Sequence, residues 1–270
     1  MSKKESTIAG GGLMRMKLTF NSESPVALPI HYNHIIQGMI YSNLTQEFAE
    51  FMHEDGFPWG KRRFKLFTFS RLEGKFRMVE GGRIEFEPPF SFIVSSPLER
   101  FLRELAGGLL KNDDLSLAGR RVVLENVTVH AAVEDHDLGD RIKINMLSPV
   151  VAYKTLVEGG KKRTLYLTPL QEEFGELLKN NLLKKYAVLT GQEPGERKFE
   201  IKPAFPLSEK HCKIIKYKDV IIKGWMGVYT LRGDPALLKI AYDAGLGSKN
   251  SQGFGCFEIL EGLKRRSGAI

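Results

Sequence analysis

Four glycines, two serines, an asparagine and a lysine crowd into the thirteen residues GLGSKNSQGFGCF, Gly245 to Phe257. Glycine lets a backbone come close to a partner and present bare N–H groups, and phosphate is a frequent partner of such a loop. Two well-known phosphate loops are excluded by order. A nucleoside-triphosphate loop needs Gly-Lys followed by Ser or Thr at the start of a helix; here Lys249 follows Ser248 and precedes Asn250. A dinucleotide fingerprint runs strand, glycines, helix. Here the preceding PALLKIAYDAGLG has Leu237, Leu238, Ile240, Ala241 and Ala244 at helical spacing, with Pro235 in the first turn. The GFGCFEIL that follows reads as a strand. The loop therefore joins a helix to a strand. A helix C-cap accounts for Gly245 and leaves the other glycines to be explained.

Composition narrows the partner. The chain has 270 residues, 42% of them hydrophobic, enough for one large or two ordinary domains. Lys and Arg number 40 against 32 Asp and Glu, a net charge of +8, and the isoelectric point is near 9.3. That balance favours a polyanion, nucleic acid ahead of an anionic membrane; the plain alternative is a merely basic soluble protein. Cys212 and Cys256 stand apart without metal-type spacing, so neither a disulfide framework nor a zinc site is expected, and a reducing cytoplasm fits. No apolar run reaches the ~18 residues of a membrane helix, and no membrane partner is expected. The opening MSKKESTIAGGG lacks a signal-peptide core. Residues 1–12 are read as a leader or expression remnant, and residues 263–270 as a basic tail.

The elements that must carry any site follow from periodicity. LMRMKLTF alternates like a half-buried strand; Tyr32 to Glu54 is a helical region; FKLFTFSRL reads as a strand; FRMVEGGRIEFE is a hairpin turning on Gly81-Gly82. FSFIVSS is a strand, PLERFLRELAGGLL a helix and RRVVLENVTVH a strand. The second half repeats this pattern. RIKINML, VVAYK and TLYL are strands; LQEEFGELLKNNLLKKYAVL is a helix; KFEIKPAF is a strand; KIIKYKDVIIKGWMGVYTL reads as two strands turning near Lys218-Asp219. The fold expected is α+β, two tandem ferredoxin-like βαββαβ domains. They span residues 13–135 and 136–262 and meet near EDHDLGD, residues 134–140.

In this frame the chain resembles the CRISPR-associated endoribonucleases that process precursor guide RNA, of the RAMP superfamily. GLGSKNSQGFG is similar to that family's Gly-rich loop, YNHIIQGMIY to its first helix and KLFTFS to the strand after it. The likeness runs from Met14 to about Leu260. It implies cleavage of CRISPR precursor RNA within repeats without a metal or other cofactor: the upstream 2′-OH attacks its own phosphate, leaving a 2′,3′-cyclic phosphate and a 5′-OH. It implies repeat RNA as partner, with a homodimer and an effector complex as further associations. It places the catalytic Tyr, His and Lys on Tyr41, His53 and Lys65. It makes Gly245, Gly247, Ser248, Lys249, Asn250, Ser251, Gly253 and Gly255 the RNA-contacting loop, with backbone N–H groups turned to the RNA.

Local physics sets conditions on those residues. Ile35, Ile36, Met39 and Ile40 complete an apolar helix face, so Tyr41 is expected to point away from the core. Twelve residues of unbroken helix would hold Tyr41 and His53 about 18 Å apart, too far for one phosphate. A break is therefore required. Ser42-Asn43-Leu44-Thr45 offers one, with Asn43 and Gln46 as a variant capping box. Lys65 alternates away from Phe64 and Leu66, and its ammonium would stabilise a pentacoordinate phosphate and favour a more acidic Tyr41. His34 shares Tyr41's face, and a hydrogen bond at the helix start is the expected role there. No carboxylate cluster in the sequence suggests a metal. Two rivals remain: a non-catalytic RAMP-type subunit that holds guide RNA in an effector complex, and a ferredoxin-like metabolic enzyme for a small phosphorylated ligand.

Overall fold

A computed structural model describes residues 12–263. Nearly all of the expected leader, and all but the first residue of the basic tail, lie outside the described residues. Two four-stranded antiparallel sheets organise the rest. The first has the order Val123–Val129, Arg15–Asn21, Phe90–Ser95, Thr68–Phe69, and the second Phe199–Pro203, Val228–Gly233, Leu138–Met146, Phe257–Leu263. In both, the first and third strands of a βαββαβ unit are central and the second and fourth lie at the edges. The chain is thus two ferredoxin-like units in tandem. Helices α1 (Asn33–Ser42) and α3 (Glu99–Lys111) belong to the first unit, as does the short α2 (Gln46–Glu50); α4 (Glu172–Thr190) and α5 (Pro235–Ala244) belong to the second. No described helix is long and apolar enough to cross a membrane.

The period-two pattern of the first strand buries Met16, Leu18 and Phe20 completely. They join Phe92, Phe101 and Leu105 in one core; Ile144, Phe174, Leu178, Leu238 and Ala241 form the other. Three elements differ from their sequence reading. FKLFTFSRL is not one strand. Leu66 takes φ +53°, a left-handed conformation, which breaks the run between Arg62–Phe64 and Thr68–Phe69. Consequently Phe64 and Leu66 pack into the second core, and Phe67 and Phe69 into the first. KIIKYKDVIIKGWMGVYTL forms three strands, not two: Cys212–Tyr217 pairs with Val220–Trp225, and Val228–Gly233 leaves to enter the main sheet. VVAYK contributes only its end, because Val150, Val151 and Ala152 are buried before the strand Tyr153–Glu158 begins. The helical region after Tyr32 is interrupted between Ser42 and Gln46, where the sequence offers a break.

Between the cores, the C-terminal end of α5 meets the first sheet. Its last carbonyls need donors, and the first unit supplies several. Arg15, 2% exposed, donates from Nη2 to the Tyr242 carbonyl at 2.9 Å and from Nη1 to that of Phe257 at 2.7 Å. Ser95 Oγ donates to the carbonyls of Tyr242 and Asp243. A buried cation at a helix C-terminus is also favoured by the helix dipole.

Candidate active site

The sequence breaks the helix after Ser42, and the break positions the Tyr41 ring. Asn43 and Leu44 leave the helix, and Thr45, with extended backbone (φ −60°, ψ 147°), starts α2. The capping differs from expectation. Asn43 turns its amide back, donating from Nδ2 to the Met39 carbonyl and accepting at Oδ1 from Asn112 Nδ2. Thr45 N–H and Oγ1 donate instead to Glu104 on α3. After α2 the chain widens into one π-turn, Phe51–Asp55, closed by the Gly56 N–H on the Phe51 carbonyl at 2.7 Å. Gly56 has φ +56°, and a Cβ there would sit 2.6 Å from the Phe64 carbonyl oxygen. Glycine therefore lets the π-turn lie against the Phe64–Lys65 segment.

These turns bring three distant residues together. The Tyr41 and His53 rings meet edge to face with centroids 6.0 Å apart, and Phe67 lies 5.9 Å from Tyr41 on another side. Lys65 Nζ donates to the His53 carbonyl at 2.5 Å. His53 is exposed, and its Nδ1 lies 2.7 Å from Glu54 Oε1. Two expectations about Tyr41 are corrected. The side chain is half-buried against the first core rather than turned to solvent, with His53 folded over it by the helix break and Phe67 against its other side. Its phenol is not acidified: burial, then the neighbouring Tyr217, push its pKa well above the ordinary tyrosine value. Lys65 is shifted down by partial burial, opposed by Glu54 and Asp55. His34 accepts or donates at Nδ1 with the His31 carbonyl at 3.1 Å, the helix-start role expected of it.

The Gly-rich loop packs along α1. Gly245, Gly247, Gly253 and Gly255 all have φ between +76° and +82° and are buried. A Cβ would strike protein at each: the Val151 carbonyl at 2.5 Å from Gly247, Phe69 at 2.5 Å from Gly253, and the Leu246 carbonyl at 2.0 Å from Gly255. Their N–H groups are not all turned outward as the sequence reading has it; those of Gly253 and Gly255 bond to the Asn250 and Pro149 carbonyls. Asn250 also faces inward, donating from Nδ2 to the carbonyls of Leu246 and Phe254. Ser248, Lys249, Ser251 and Gln252 are half-exposed. Lys249 lies over the Tyr153 ring at 5.4 Å, and burial shifts its ammonium down.

Side chains that the sequence reading overlooked hold this loop. Lys185 of α4 is 1% exposed, and its Nζ donates to the Gly245 carbonyl at 2.5 Å and to Asn250 Oδ1 at 2.8 Å. Burial pushes its pKa down to about 7, while the surrounding oxygens favour the charged form. A signal was present, because Lys185 continues the apolar spacing Leu178, Leu182, Leu189 along α4. From α1, Asn33 Nδ2 donates to the Gln252 carbonyl at 2.8 Å, and Gln37 Nε2 to the Ser251 carbonyl at 2.6 Å. Thr68 Oγ1 donates to the Phe254 carbonyl at 2.9 Å. Around the loop, Lys161, Lys162, Arg163, Lys216, Lys218 and Lys223 are exposed on the two hairpins of the second unit. Among the described residues, no three His, Cys, Asp or Glu side chains gather as a metal-ligand set.

Comparison with known proteins places this architecture. Residues 27–128 match the family CRISPR-associated protein Cas6, N-terminal, and residues 133–259 match CRISPR associated protein Cas6, C-terminal. The CRISPR-associated endoribonuclease Cas6 of Pyrococcus furiosus is 30% identical over 253 residues, covering 88% of this chain and 86% of that one. CRISPR-associated endoribonuclease Cas6 1 of Methanocaldococcus jannaschii is 25% identical over 260 residues, covering 94% and 96%. Among solved structures, that of a Cas6-related gene from Pyrococcus furiosus superposes with a TM-score of 0.79 at 22% identity, covering 93% of this chain and 99% of the other. A structure described as an RAMP protein binding different RNA substrates gives 0.76 at 23% identity, covering 92% and 100%. The solved structures bear on the fold; the sequence relatives and the matched families carry the assignment, and by them this chain belongs to the Cas6 family of CRISPR-associated proteins.

Proposed function

We propose that this protein binds CRISPR repeat RNA and cleaves it by attack of a 2′-OH on the adjacent phosphate, with Tyr41, His53 and Lys65 around the reacting atoms. The 2′-oxygen forms a bond to phosphorus as the bond to the 5′-oxygen breaks. The 2′-OH loses its proton and the 5′-oxygen gains one, leaving 2′,3′-cyclic phosphate and 5′-OH ends. The observation that carries this reading is the convergence of Tyr41 and His53 across the helix break, with Lys65 Nζ on the His53 carbonyl. His53 is the proton carrier, its ring oriented by Glu54 at Nδ1. Tyr41 keeps its proton, since burial disfavours the phenolate, and acts as a hydrogen-bond donor to the phosphate or the 2′-oxygen. Lys65 stabilises charge developing on the phosphoryl oxygens. Ser248, Lys249, Ser251 and Gln252 contact RNA at the loop, and the basic hairpins hold its backbone. The endoribonuclease names of the sequence relatives support the same reading.

The test is cleavage of repeat RNA in excess EDTA, beside RNA carrying one 2′-deoxy sugar at the cut site and beside His53→Ala. Cutting in EDTA that disappears with the deoxy sugar and slows about 100-fold or more in the variant is the expected result. Loss of cutting in EDTA overturns the metal-independent mechanism. Tight binding without cutting moves the protein to the guide-RNA-holding class of RAMP proteins.

A further inference from the structure

Tyr217 lies in the second unit, on the hairpin strand Cys212–Tyr217, far from Tyr41 in sequence. It is 7% exposed and packs with Val151, Ile222 and Phe254 in a small apolar cluster beneath the Gly-rich loop. Its hydroxyl emerges from that cluster and donates to Gln37 Oε1 on α1. Gln37 uses the other end of the same amide to donate to the Ser251 carbonyl at 2.6 Å. One side chain of the first unit therefore holds the loop with its nitrogen and the hairpin with its oxygen. Tyr217 is also close enough to Tyr41 to raise the cost of ionising its phenol.

The spacing on α1 gives this contact a purpose. Asn33, Gln37 and Tyr41 recur every four residues and form one ridge of the helix. Asn33 holds the carbonyls of Gln252 and Gly253; Gln37, one turn on, holds Ser251; Tyr41, another turn on, faces His53. Each step is about 6 Å along the helix axis. The loop is thus laid along the helix that presents Tyr41, and the Gln37 amide is the anchor nearest that side chain. The seam between the units has other ties, among them Arg15, Ser95 and Thr68. Losing the Tyr217–Gln37 bond would leave those ties in place and release only the loop tip.

We propose that Tyr217 and Gln37 form an interdomain tie that sets the Gly-rich loop at a fixed distance from Tyr41, making both positioning residues for the cleavage proposed above. The inference rests on that proposed activity but concerns a different group of atoms. Neither residue needs to touch the phosphate. The loop grips RNA and Tyr41 meets the bond to be cut, so a slack loop would still bind RNA but present the wrong geometry.

Tyr217→Phe removes only the hydroxyl and keeps the packed ring; Gln37→Leu removes both ends of the tie at similar volume. Single-turnover cleavage at saturating enzyme is expected to slow about tenfold in Tyr217→Phe, the worth of one hydrogen bond, with RNA affinity within about threefold of wild type. Gln37→Leu should slow it at least as much, and the double variant no more than Gln37→Leu, because Gln37→Leu already removes the bond that Tyr217→Phe breaks. Hydrogen exchange supplies a readout independent of activity. Amides of residues 249–254 should exchange faster in both variants, with those of residues 15–21 unchanged. An unaltered cleavage rate, an additive double variant, or a loss of RNA binding in Tyr217→Phe would each overturn the inference. The last would make the tyrosine a direct RNA contact. If the wild-type protein cuts no repeat RNA, the proposed activity fails, and hydrogen exchange alone decides the tie: unchanged loop exchange sinks it.

Discussion

Replacing Lys185 with Met tests what holds the Gly-rich loop. The ammonium is fully buried and makes two short bonds, to the Gly245 carbonyl at 2.5 Å and to Asn250 Oδ1 at 2.8 Å, with Ala244 and Gly247 carbonyls at 3.4 and 3.5 Å. Burying a charge costs several kcal/mol, and replacing a whole buried ionic group by an apolar one of similar shape is often neutral. Here only one side is replaced. Met fills the volume but leaves two close acceptors without their donor, at about 1–3 kcal/mol each. The net expectation is a loss of about 3 kcal/mol. For a chain of 270 residues, at about 2 °C per kcal/mol, the melting temperature falls about 6 °C. RNA affinity should fall as well, since Asn250 and the carbonyls of Gly245 and Gly247 no longer share a fixed centre. The assays are thermal melting and RNA-binding titration, beside Lys184→Met, a half-buried neighbour expected to shift melting by no more than about 1 °C. A Lys185→Met protein that melts with or above wild type and binds RNA equally would refute the argument.

The same lysine predicts a pH effect. Its folded pKa near 7 lies below the ordinary 10.5, so between those values the unfolded chain binds the extra proton, and stability from this group rises with pH. The melting gap between wild type and Lys185→Met should therefore widen from pH 7 toward pH 10, as scanning calorimetry at the two ends would show. Thr68→Val removes only the hydroxyl that bonds the Phe254 carbonyl from a fully buried position; urea melts should report a loss of about 1 kcal/mol. Gly108→Ala places a Cβ 1.9 Å from the Asn43 carbonyl oxygen, and a loss of about 3 kcal/mol is expected as α3 is pushed from the helix break, again by urea melts. Tyr41→Phe keeps the ring packed on His53 and Phe67, so melting should hold while single-turnover cleavage slows about tenfold or more.

Much of the fold was legible because its strands follow one rule each. Arg15–Asn21 is buried at every second residue, and α3 buries Phe101, Leu102, Leu105 and Leu109 at helical spacing. The break after Ser42 was legible by necessity, since an unbroken helix could not bring Tyr41 to His53. What local pattern could not give was partnership. Asn43 was read as a cap but bonds Asn112, sixty-nine residues on, and Glu104 takes over the cap of α2. Leu66 alternates well enough to pass for a strand residue, yet its positive φ breaks the run there, leaving Leu66 with Phe64 in the second core and Phe67 and Phe69 in the first. Gln37 and Tyr217 were each visible, but nothing in either segment tells that a residue 180 positions away takes the amide oxygen.

The glycines of the loop carry a different physical burden from the one their number first suggests. A Gly-rich stretch invites the idea that the ligand needs the missing side chains. At Gly247, Gly253 and Gly255 it is the protein that needs them missing, because carbonyls and rings of both units occupy the space. The positive φ values let the chain reverse within a few residues, and the carbonyls so exposed inward are met by Lys185, Asn33, Gln37 and Asn250. That inward accounting leaves Ser248, Lys249, Ser251 and Gln252 half-exposed at the tip. Under the proposed function this tip meets RNA, and a tip held this firmly would need little further ordering on binding, which would be retained as affinity. The inward bonding also ties the loop to the Tyr41–His53 pair, since α1 holds the loop through Asn33 and Gln37 and carries Tyr41.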